Sequence, residues 1–507
     1  MSDFVFGPRE HQVILCHSLN RSKQFESTME KTGCLFCGGR AGAGEHVLPS
    51  SLGGLVIDRT LYCHAHEGQL ADLVVQLAHQ MEPFSALLGV RSDRKKKLRA
   101  ATGKEHGTNH DVSISVAEVT YARPRIVSRQ EREGETHVLI HARSEEEAIR
   151  EVRRMLNPGE EIRVVHAGEP VRFYPGDITY QRGLGGDSML AAVAYIALSF
   201  LSREYPTHRM DRALDDFKRF PLFAARQLLL PVNERVPHHG GYPIWWDFDE
   251  SAKLPDPAFS FAHRFVIGYD GSDGLLYGRA MFFSRLSLSF HFGYTEKGRL
   301  SSAKVIDVDP LAAQRENSMK VCDLDSAATR PDRPVARQSA VARSRNELLM
   351  QEAVDSLIAE IQGYRLQKDA RKARRLMSRA AKAGPSEAMT QAREICSDAH
   401  QRLLNLARKL PIDAGNDVVR ATWLRELIRP IERAPEESTG LTVAGQEALA
   451  AMAEALAEQM VEDSVAGTLD LTRMENLLGG TAGKAVLERA LVDFSIREGG
   501  RSHDGST

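Results

Sequence analysis

The chain of 507 residues is much longer than one typical domain, so we expect two to four domains. Its composition, 42% hydrophobic and 26% charged, is that of a water-soluble globular protein with a large core. A net charge of −2 excludes a globally basic nucleic-acid-binding protein, so any contact with nucleic acid must depend on local patches.

The cysteine content and the apolar segments indicate a cytoplasmic protein with no membrane association. Six cysteines are too few for a disulfide framework, and three of them fall within residues 34–63, which favours a metal site in a reducing compartment. The N-terminus lacks the basic and apolar segments of a signal peptide. The longest mostly apolar run, residues 189–201, is shorter than the roughly 20 residues of a membrane-spanning helix.

The N-terminal part of the chain is predicted to hold a small module. Residues 1–30 form a polar lead-in, and residues 31–90 carry a Cys- and His-containing motif. The motif ends in a predicted helix that runs onward from His66, because apolar residues recur there at helical spacing. These residues are Leu70, Leu73, Val74, Leu77 and Met81. The charged run at 91–100 is predicted to be a linker or loop.

Residues 112–322 are predicted to form an α+β middle domain. Strands are expected at 136–142 and 160–167, with a helix at 144–156 between them. A mostly buried helix is expected at 188–205. Three mostly apolar segments at 259–293, the first two separated by the Gly-Ser-Asp-Gly turn 271–274, predict an antiparallel meander.

A mostly α-helical region is predicted to follow a linker at 323–345, which is rich in Pro, Arg and Ser. The helical region covers 346–498, with a break at Gly384-Pro385, and residues 499–507 are predicted to be a disordered tail. The expected helices are 346–383, 386–409, 417–433, 442–464 and 470–494. The predicted fold class is therefore α+β, with an N-terminal zinc module and a helical C-terminal region.

Two short-spaced pairs of metal-binding side chains predict a structural zinc site. Cys34 and Cys37 form one pair, Cys63 and His66 the other, and the pattern reads C-x2-C-x25-C-x2-H. Zinc takes four thiolate or imidazole ligands in a tetrahedron, and a hairpin can bring two such pairs together. His64 is an alternative ligand, but the x2 spacing favours His66. Four unrelated buried residues are the alternative interpretation.

The segments "CLFC" (34–37), "EHVLPSSLGG" (45–54) and "YCHAHEGQLADL" (62–73), in that order and spacing, resemble the HNH endonucleases, or ββα-metal nucleases. The resemblance covers residues 34 to about 75. It implies that zinc holds a hairpin against a helix, that His46 is the general base, and that Glu45 and Glu67 bind a catalytic Mg²⁺ or Mn²⁺. Glu67 stands where the family usually has Asn or His, and Asp58 is the nearest polar residue where many members carry Asn.

The residues themselves suit phosphodiester hydrolysis. An imidazole such as that of His46 titrates in the range needed to take a proton from water. Carboxylates such as those of Glu45 and Glu67 are the ligands of a hard cation that neutralises a phosphate. The alternatives are that Glu45 is a solvated turn residue, that His46 packs at a strand end, and that Glu67 is a first-turn acid that favours the helix dipole.

A second pattern predicts contact with nucleic acid. Six cations recur every three or four residues in the predicted helix around 365–382, so they share one helix face, which we call the basic face. They are Arg365, Lys368, Lys372, Arg375, Arg379 and Lys382. The basic run at 94–97 is a further candidate. A solvated surface is the alternative for both.

The sequence thus leads to the hypothesis of an HNH endonuclease that acts on nucleic acid, with DNA expected more than RNA. By resemblance, such modules serve in phage defence or in mobile elements. The helical C-terminal region is expected to bind a protein partner or a second copy of the chain. A non-catalytic zinc-knuckle protein, which binds nucleic acid or serves as a scaffold with a decayed nuclease site, is the alternative, and a toxin directed at RNA is a weaker one.

Overall fold

The computed structural model contains both helices and antiparallel sheets. It describes residues 33–91, 100–105, 110–115, 119–132, 135–142, 145–155, 178–179, 183–238, 242–248, 254–298, 300–324, 329–332, 340–399, 403 and 443–504. Contacts divide the chain into two units. The first comprises Met1–Ala100 and Arg182–Ala359, and the second comprises Ala101–Gln181 and Glu360–Thr507.

The first unit begins with a β-hairpin followed by a helix. Strand β1 (Glu45–His46) pairs antiparallel with β2 (Ile57–Asp58), and α1 (His64–Leu88) follows. We call these three elements the hairpin–helix motif. The predicted helix is confirmed, since Leu70, Leu73, Leu77 and Met81 are buried along one face. The helix ends where Gly89 adopts a left-handed conformation, which glycine reaches without a steric cost.

Two further helices cover the apolar face of α1. Helix α3 (Gly186–Glu204) and helix α4 (Asp215–Leu228) both pack against it. Helix α3 is buried on nearly all sides, as its apolar sequence predicts, because it also packs on a sheet. Its Phe200 ring stacks on Phe265 of that sheet with the ring centroids 4.4 Å apart. The hairpin–helix motif is therefore built into a larger core.

The sheet of the first unit has six antiparallel strands in the order β14-β13-β10-β11-β12-β9. The predicted meander is confirmed as three of these strands. Arg264 and Asp307 lie opposite each other on neighbouring strands and form a buried ion pair with two hydrogen bonds of 2.7 and 2.8 Å. The strands are β9 (Ile244–Trp246), β10 (His263–Asp270), β11 (Leu275–Phe282), β12 (Leu286–Tyr294), β13 (Ser302–Val308) and β14 (Met319–Leu324).

Part of the predicted linker is ordered against this sheet. Residues 319–324 form its edge strand, and Arg330 forms ion pairs of 2.6 Å with Asp270 and 2.9 Å with Asp273, beside the 271–274 turn. Thr329 is buried, and its hydroxyl lies 3.1 Å from that of Tyr277. Because the segment has few apolar residues, its sequence did not indicate that it packs on the sheet through these polar contacts.

The described residues from the middle of the chain contribute short strands and one helix to the second unit. One sheet has the order β5-β4-β3-β8, and β6 pairs with β7 in a separate hairpin. The predicted strand at 136–142 and helix at 144–156 are present, whereas the strand expected at 160–167 lies outside the described residues. The elements are β3 (Ala100–Glu105), β4 (Asp111–Ser115), β5 (Val119–Tyr121), β6 (Arg125–Arg132), β7 (Glu135–His141), α2 (Glu145–Arg153) and β8 (Ile178–Thr179).

The C-terminal part is helical as predicted, and Gly384-Pro385 separates its first two helices. Several bounds differ from those expected. The first helix begins at Ala340, within the predicted linker, and the helix expected at 386–409 ends at Asp398. The helix expected at 470–494 is divided at Gly480, and the tail expected to be disordered is helical as far as Asp504. The helix expected at 417–433 lies outside the described residues. The helices are α5 (Ala340–Ala383), α6 (Pro385–Asp398), α7 (Val443–Val465), α8 (Leu471–Gly479) and α9 (Thr481–Asp504).

The two units group the chain in a different way from the predicted domains. Residues 112–181 belong with the helical region, and residues 183–322 belong with the hairpin–helix motif. The lead-in 1–30 and the basic run 94–97 lie outside the described residues. Among the helices of the described ranges, none is both long enough and apolar enough to cross a membrane.

Candidate metal centre and catalytic residues

The two predicted ligand pairs come together in space. The side-chain donor atoms of Cys34, Cys37, Cys63 and His66 all lie within 4.8 Å of one another, and we call this group the Cys3His cluster. The Nδ1 atom of His66 lies 3.2 Å from the Cys63 sulfur and 3.6 Å from the Cys34 sulfur. The Cys37 and Cys63 sulfurs are 4.0 Å apart. Ligands of tetrahedral zinc are separated by about 3.5–3.8 Å, so the cluster could hold a zinc ion.

The surroundings of Cys34 and His66 favour their metal-binding forms, whereas the pKa of Cys37 is raised, because the lowering by the Gly39 backbone is outweighed by burial and by the neighbouring Cys34 and Cys63 thiols. Burial opposes ionisation of the Cys34 thiol, but the backbone N–H groups of Cys63, Phe36 and Cys37 donate to its sulfur and lower its pKa. Burial lowers the pKa of His66 and so favours the neutral imidazole. Thiolate and neutral imidazole are the forms that bind zinc. The donor set therefore fits the metal that the spacing predicts.

Backbone geometry explains why the first ligand pair is followed by glycines. The Cys34 N–H donates to the Gly39 carbonyl and the Gly38 N–H donates to the Cys34 carbonyl, at 2.6 and 2.8 Å, which closes a tight turn. Gly38 has a φ of +68°. A side chain on Gly33 would collide with the Gly38 backbone. Glycine at these positions lets the turn place both sulfurs on one side.

The second ligand pair is set by the start of α1. Cys63 is the residue before the helix, and His66 lies in its first turn. The His66 ring stacks on Phe36 with centroids 5.3 Å apart, which orients its Nδ1 atom toward the sulfurs. His64, the alternative ligand, is exposed and lies with its Nδ1 atom 3.6 Å from a Glu67 oxygen. The structure therefore selects His66.

The proposed catalytic pair lies on β1, between the two ligand pairs. Glu45 is half-buried and pairs in register with Asp58, whereas His46 is buried, with 7% of its surface exposed, and pairs with Ile57. Adjacent side chains on a strand point to opposite sides, so strand alternation by itself does not bring Glu45 and His46 together. Asp58 accepts hydrogen bonds of 2.8 and 2.7 Å from the N–H and hydroxyl of Thr60, so it caps the turn that leads to Cys63.

Glu45 and Glu67 come from different elements but influence the same hydroxyl group. Burial raises the pKa of Tyr195 well above its usual value, and the charges of Tyr62, Glu45 and Glu67 raise it further. Because such effects weaken with distance, both carboxylates lie within electrostatic range of this hydroxyl. Glu67 also lies in the first turn of α1, where a carboxylate interacts favourably with the helix dipole. This position is compatible with both interpretations of Glu67, as a metal ligand and as a first-turn acid.

Residues far away in the sequence anchor the motif, and sequence reasoning missed them. The Tyr62 hydroxyl lies 2.7 Å from the Ser199 Oγ atom of α3, and its ring centroid is 4.8 Å from that of Tyr195. Arg209 donates to the carbonyls of Gly33, Thr60 and Leu61. No local pattern signals such contacts. Arg209 itself is buried although most of the residues beside it are exposed, so its neighbours in the sequence gave no signal of its role.

The basic face lies in the second unit, on α5. Lys368, Lys372, Arg375 and Arg379 line one cavity together with Arg371. The other two members of the basic face, Arg365 and Lys382, are not among the described residues that line it. The structure thus places four of the six predicted contact residues around a common space.

Comparison of the chain with models of known protein families, with curated proteins and with solved structures found no match. The site must therefore be interpreted from its own residues.

Proposed function

We propose that this chain is a metal-dependent endonuclease of the HNH type, which hydrolyses phosphodiester bonds in DNA. One observation carries the proposal: a β-hairpin lies between the two halves of a Cys3His cluster, and a helix follows directly. The hairpin bears the Glu45-His46 pair on its first strand, and the helix bears Glu67 in its first turn. The same order of elements and residues underlies the family resemblance.

Each residue has a distinct role in the proposed reaction. His46 takes a proton from the attacking water, for which a neutral imidazole is suited at physiological pH. Glu45 and Glu67 hold a divalent cation, Mg²⁺ or Mn²⁺, whose ligands are mainly oxygen atoms. When bound, this ion supplies positive charge to the scissile phosphate and to the leaving oxygen. The Cys3His cluster fixes the hairpin relative to α1 and takes no part in the chemistry.

A nicking assay with supercoiled plasmid tests the proposal. We expect cutting by the wild type in Mg²⁺ or Mn²⁺, and a loss of about 10²- to 10⁴-fold in His46→Ala, since this is the contribution of a general base. His79→Ala is the matched control, because His79 is an exposed histidine on α1. Equal cutting by wild type and His46→Ala would refute the assignment of the base. The absence of cutting with either metal, on DNA and on RNA, would refute the nuclease.

The contact between Glu67 and His64 favours a second candidate. A Glu67 carboxylate that is 3.6 Å from an imidazole is partly engaged away from a metal. The chain would then be a zinc-stabilised nucleic-acid-binding or scaffold protein. Glu67→Asn separates the two functions, because it restores the residue type usual at this position: a gain of cutting by this variant over an inactive wild type indicates a decayed nuclease.

A further inference from the structure

Helix α5 has two opposed faces in its C-terminal half. Ala370, Ala373, Met377 and Ala380 are buried in the core of the helical region. With 3.6 residues per turn, the basic face points to the opposite side of the helix. The five cations Lys368, Lys372, Arg375, Arg379 and Lys382 are exposed there. The core fixes the rotation of the helix, so these side chains are held together in one direction.

The middle of the basic face lines a cavity of about 550 Å³. Five of its nine described lining residues are cations, the fifth being Arg371, and one is an anion, Asp369. A cavity with this charge suits a phosphate-bearing ligand, because Arg and Lys are the side chains that bind phosphate oxygens.

Most of this positive charge is not neutralised within the described part of the chain. Lys372 lies 3.4 Å from Asp398, but both side chains are well exposed, so the attraction between them is weak. For Lys368, Arg371, Arg375 and Arg379, no carboxylate of the described residues lies within ion-pair distance. Like charges so close together repel one another, and a bound polyanion relieves that repulsion.

The length of the basic face distinguishes a polymer from a small anion. At 1.5 Å per residue, the cations that line the cavity extend over about 17 Å, and the face from Arg365 to Lys382 extends over about 25 Å. A small phosphate compound would use only part of this length. A linear chain of phosphates can use all of it, because each strand of DNA carries one phosphate per about 3.4 Å of helix axis.

We propose that the basic face of α5 binds the phosphodiester backbone of the nucleic-acid substrate as an anchoring surface additional to the catalytic residues. The choice of DNA as ligand rests on the proposed function. The contact is with phosphates, so it contributes affinity and not base specificity.

Binding of a fluorescein-labelled duplex of about 30 base pairs, measured by anisotropy over a series of salt concentrations, tests this proposal. All proteins carry His46→Ala and no Mg²⁺ is added, so cutting does not interfere. We expect Lys368→Gln/Arg375→Gln to reduce the slope of log K against log [salt] by about 2, and to weaken binding about 50-fold near 0.1 M salt. Arg374→Gln/Arg489→Gln is the control, since both arginines are exposed and outside the cavity.

The outcomes distinguish failure of this proposal from failure of the proposed nuclease activity. An unchanged slope in Lys368→Gln/Arg375→Gln, or an equal reduction in the control, overturns the anchoring surface even if the wild type cuts DNA. A reduced slope supports the surface even if no cutting is found. Loss of inorganic triphosphate binding in the same variant, with no change in the DNA slope, would indicate a small-anion pocket and would also overturn it. Gln retains helix propensity, and circular dichroism checks the fold.

Discussion

The guanidinium of Arg209 donates a hydrogen bond of 2.7 Å to the backbone carbonyl of Gly33, the residue before the first cysteine of the cluster. The same group donates to the carbonyls of Thr60 and Leu61, shortly before the second ligand pair. One side chain therefore holds both halves of the Cys3His cluster from outside the hairpin–helix motif. Arg209 is only 6% exposed, so little water is present to replace it.

Arg209→Met should loosen both halves of the cluster. It removes the charged hydrogen bonds to the half-buried carbonyls of Gly33 and Thr60, while the Leu61 carbonyl keeps the Leu35 N–H as a donor, so we expect a loss of about 3 kcal/mol in local stability. Hydrogen–deuterium exchange of residues 33–62 measures this loss. Arg212→Met, an exposed arginine three residues away, should leave exchange unchanged. Equal protection of residues 33–62 in wild type and Arg209→Met would contradict the role given to Arg209.

Removal of a single ligand should abolish stable zinc binding. We expect about one zinc per purified wild-type chain, and far less in Cys63→Ser, because a hydroxyl is a poor zinc ligand and the remaining three donors cannot complete the tetrahedron. Elemental analysis of the purified proteins gives the zinc content. Cys396→Ser alters a buried cysteine of the helical region and should keep its zinc. Full zinc content in Cys63→Ser would show that the cluster is not the metal site.

The hydrogen bond between Tyr62 and Ser199 should couple the cluster to α3 energetically. Tyr62→Phe and Ser199→Ala each remove one partner, and we expect each to lower the free energy of unfolding by about 1–2 kcal/mol. The double variant should lose less than the sum, with a coupling energy of about 1 kcal/mol. Urea titration of the four proteins completes the double-mutant cycle. Strict additivity would mean that the hydroxyls, 2.7 Å apart, do not stabilise each other.

His263 should make the stability of the first unit dependent on pH. Burial lowers the pKa of His263 to about 3, and a hydrogen bond to the Leu52 backbone opposes this effect only in part. Between pH 6.5 and 3, the unfolded chain binds a proton at this residue that the folded chain does not, so stability falls as the pH falls.

The consequence can be measured against a variant that cannot titrate. His263→Gln should be less stable than the wild type at pH 7, and the difference should narrow by about 2 kcal/mol between pH 6.5 and 5. Urea titrations at each pH give the two stabilities. His79→Gln, which alters an exposed histidine, is the control. If the difference in stability between the wild type and His263→Gln does not depend on pH, the imidazole of His263 has the same pKa in the folded and unfolded states.

Sequence patterns predicted those elements that are determined by residues close together in the sequence. The apolar spacing from Leu70 to Met81 identified α1, and the two short-spaced ligand pairs identified the Cys3His cluster. The 271–274 turn located the meander. The consecutive Gly479 and Gly480 could also have predicted a helix end, because the helix expected at 470–494 is divided there.

The contacts that hold the site together could not be predicted, because their partners are distant in the sequence. Nothing around Ser199 distinguishes it from any other serine of an apolar helix until Tyr62 lies against it. Arg209 is a single basic residue whose three acceptors are backbone carbonyls, and backbone groups carry no sequence signature. Glu45 and His46 were placed by resemblance, and their catalytic roles stay predictions.

The burial of Tyr62 against α3 has a consequence for synthesis of the protein. The bond partners are separated by more than 130 positions, and ribosomes add about 5–20 residues per second. The nascent hairpin and α1 therefore wait about 7–27 s for the helix that covers them. During that interval their apolar face is exposed to water. An excised 31–90 fragment should therefore aggregate, and metal binding before release from the ribosome would protect the growing polypeptide.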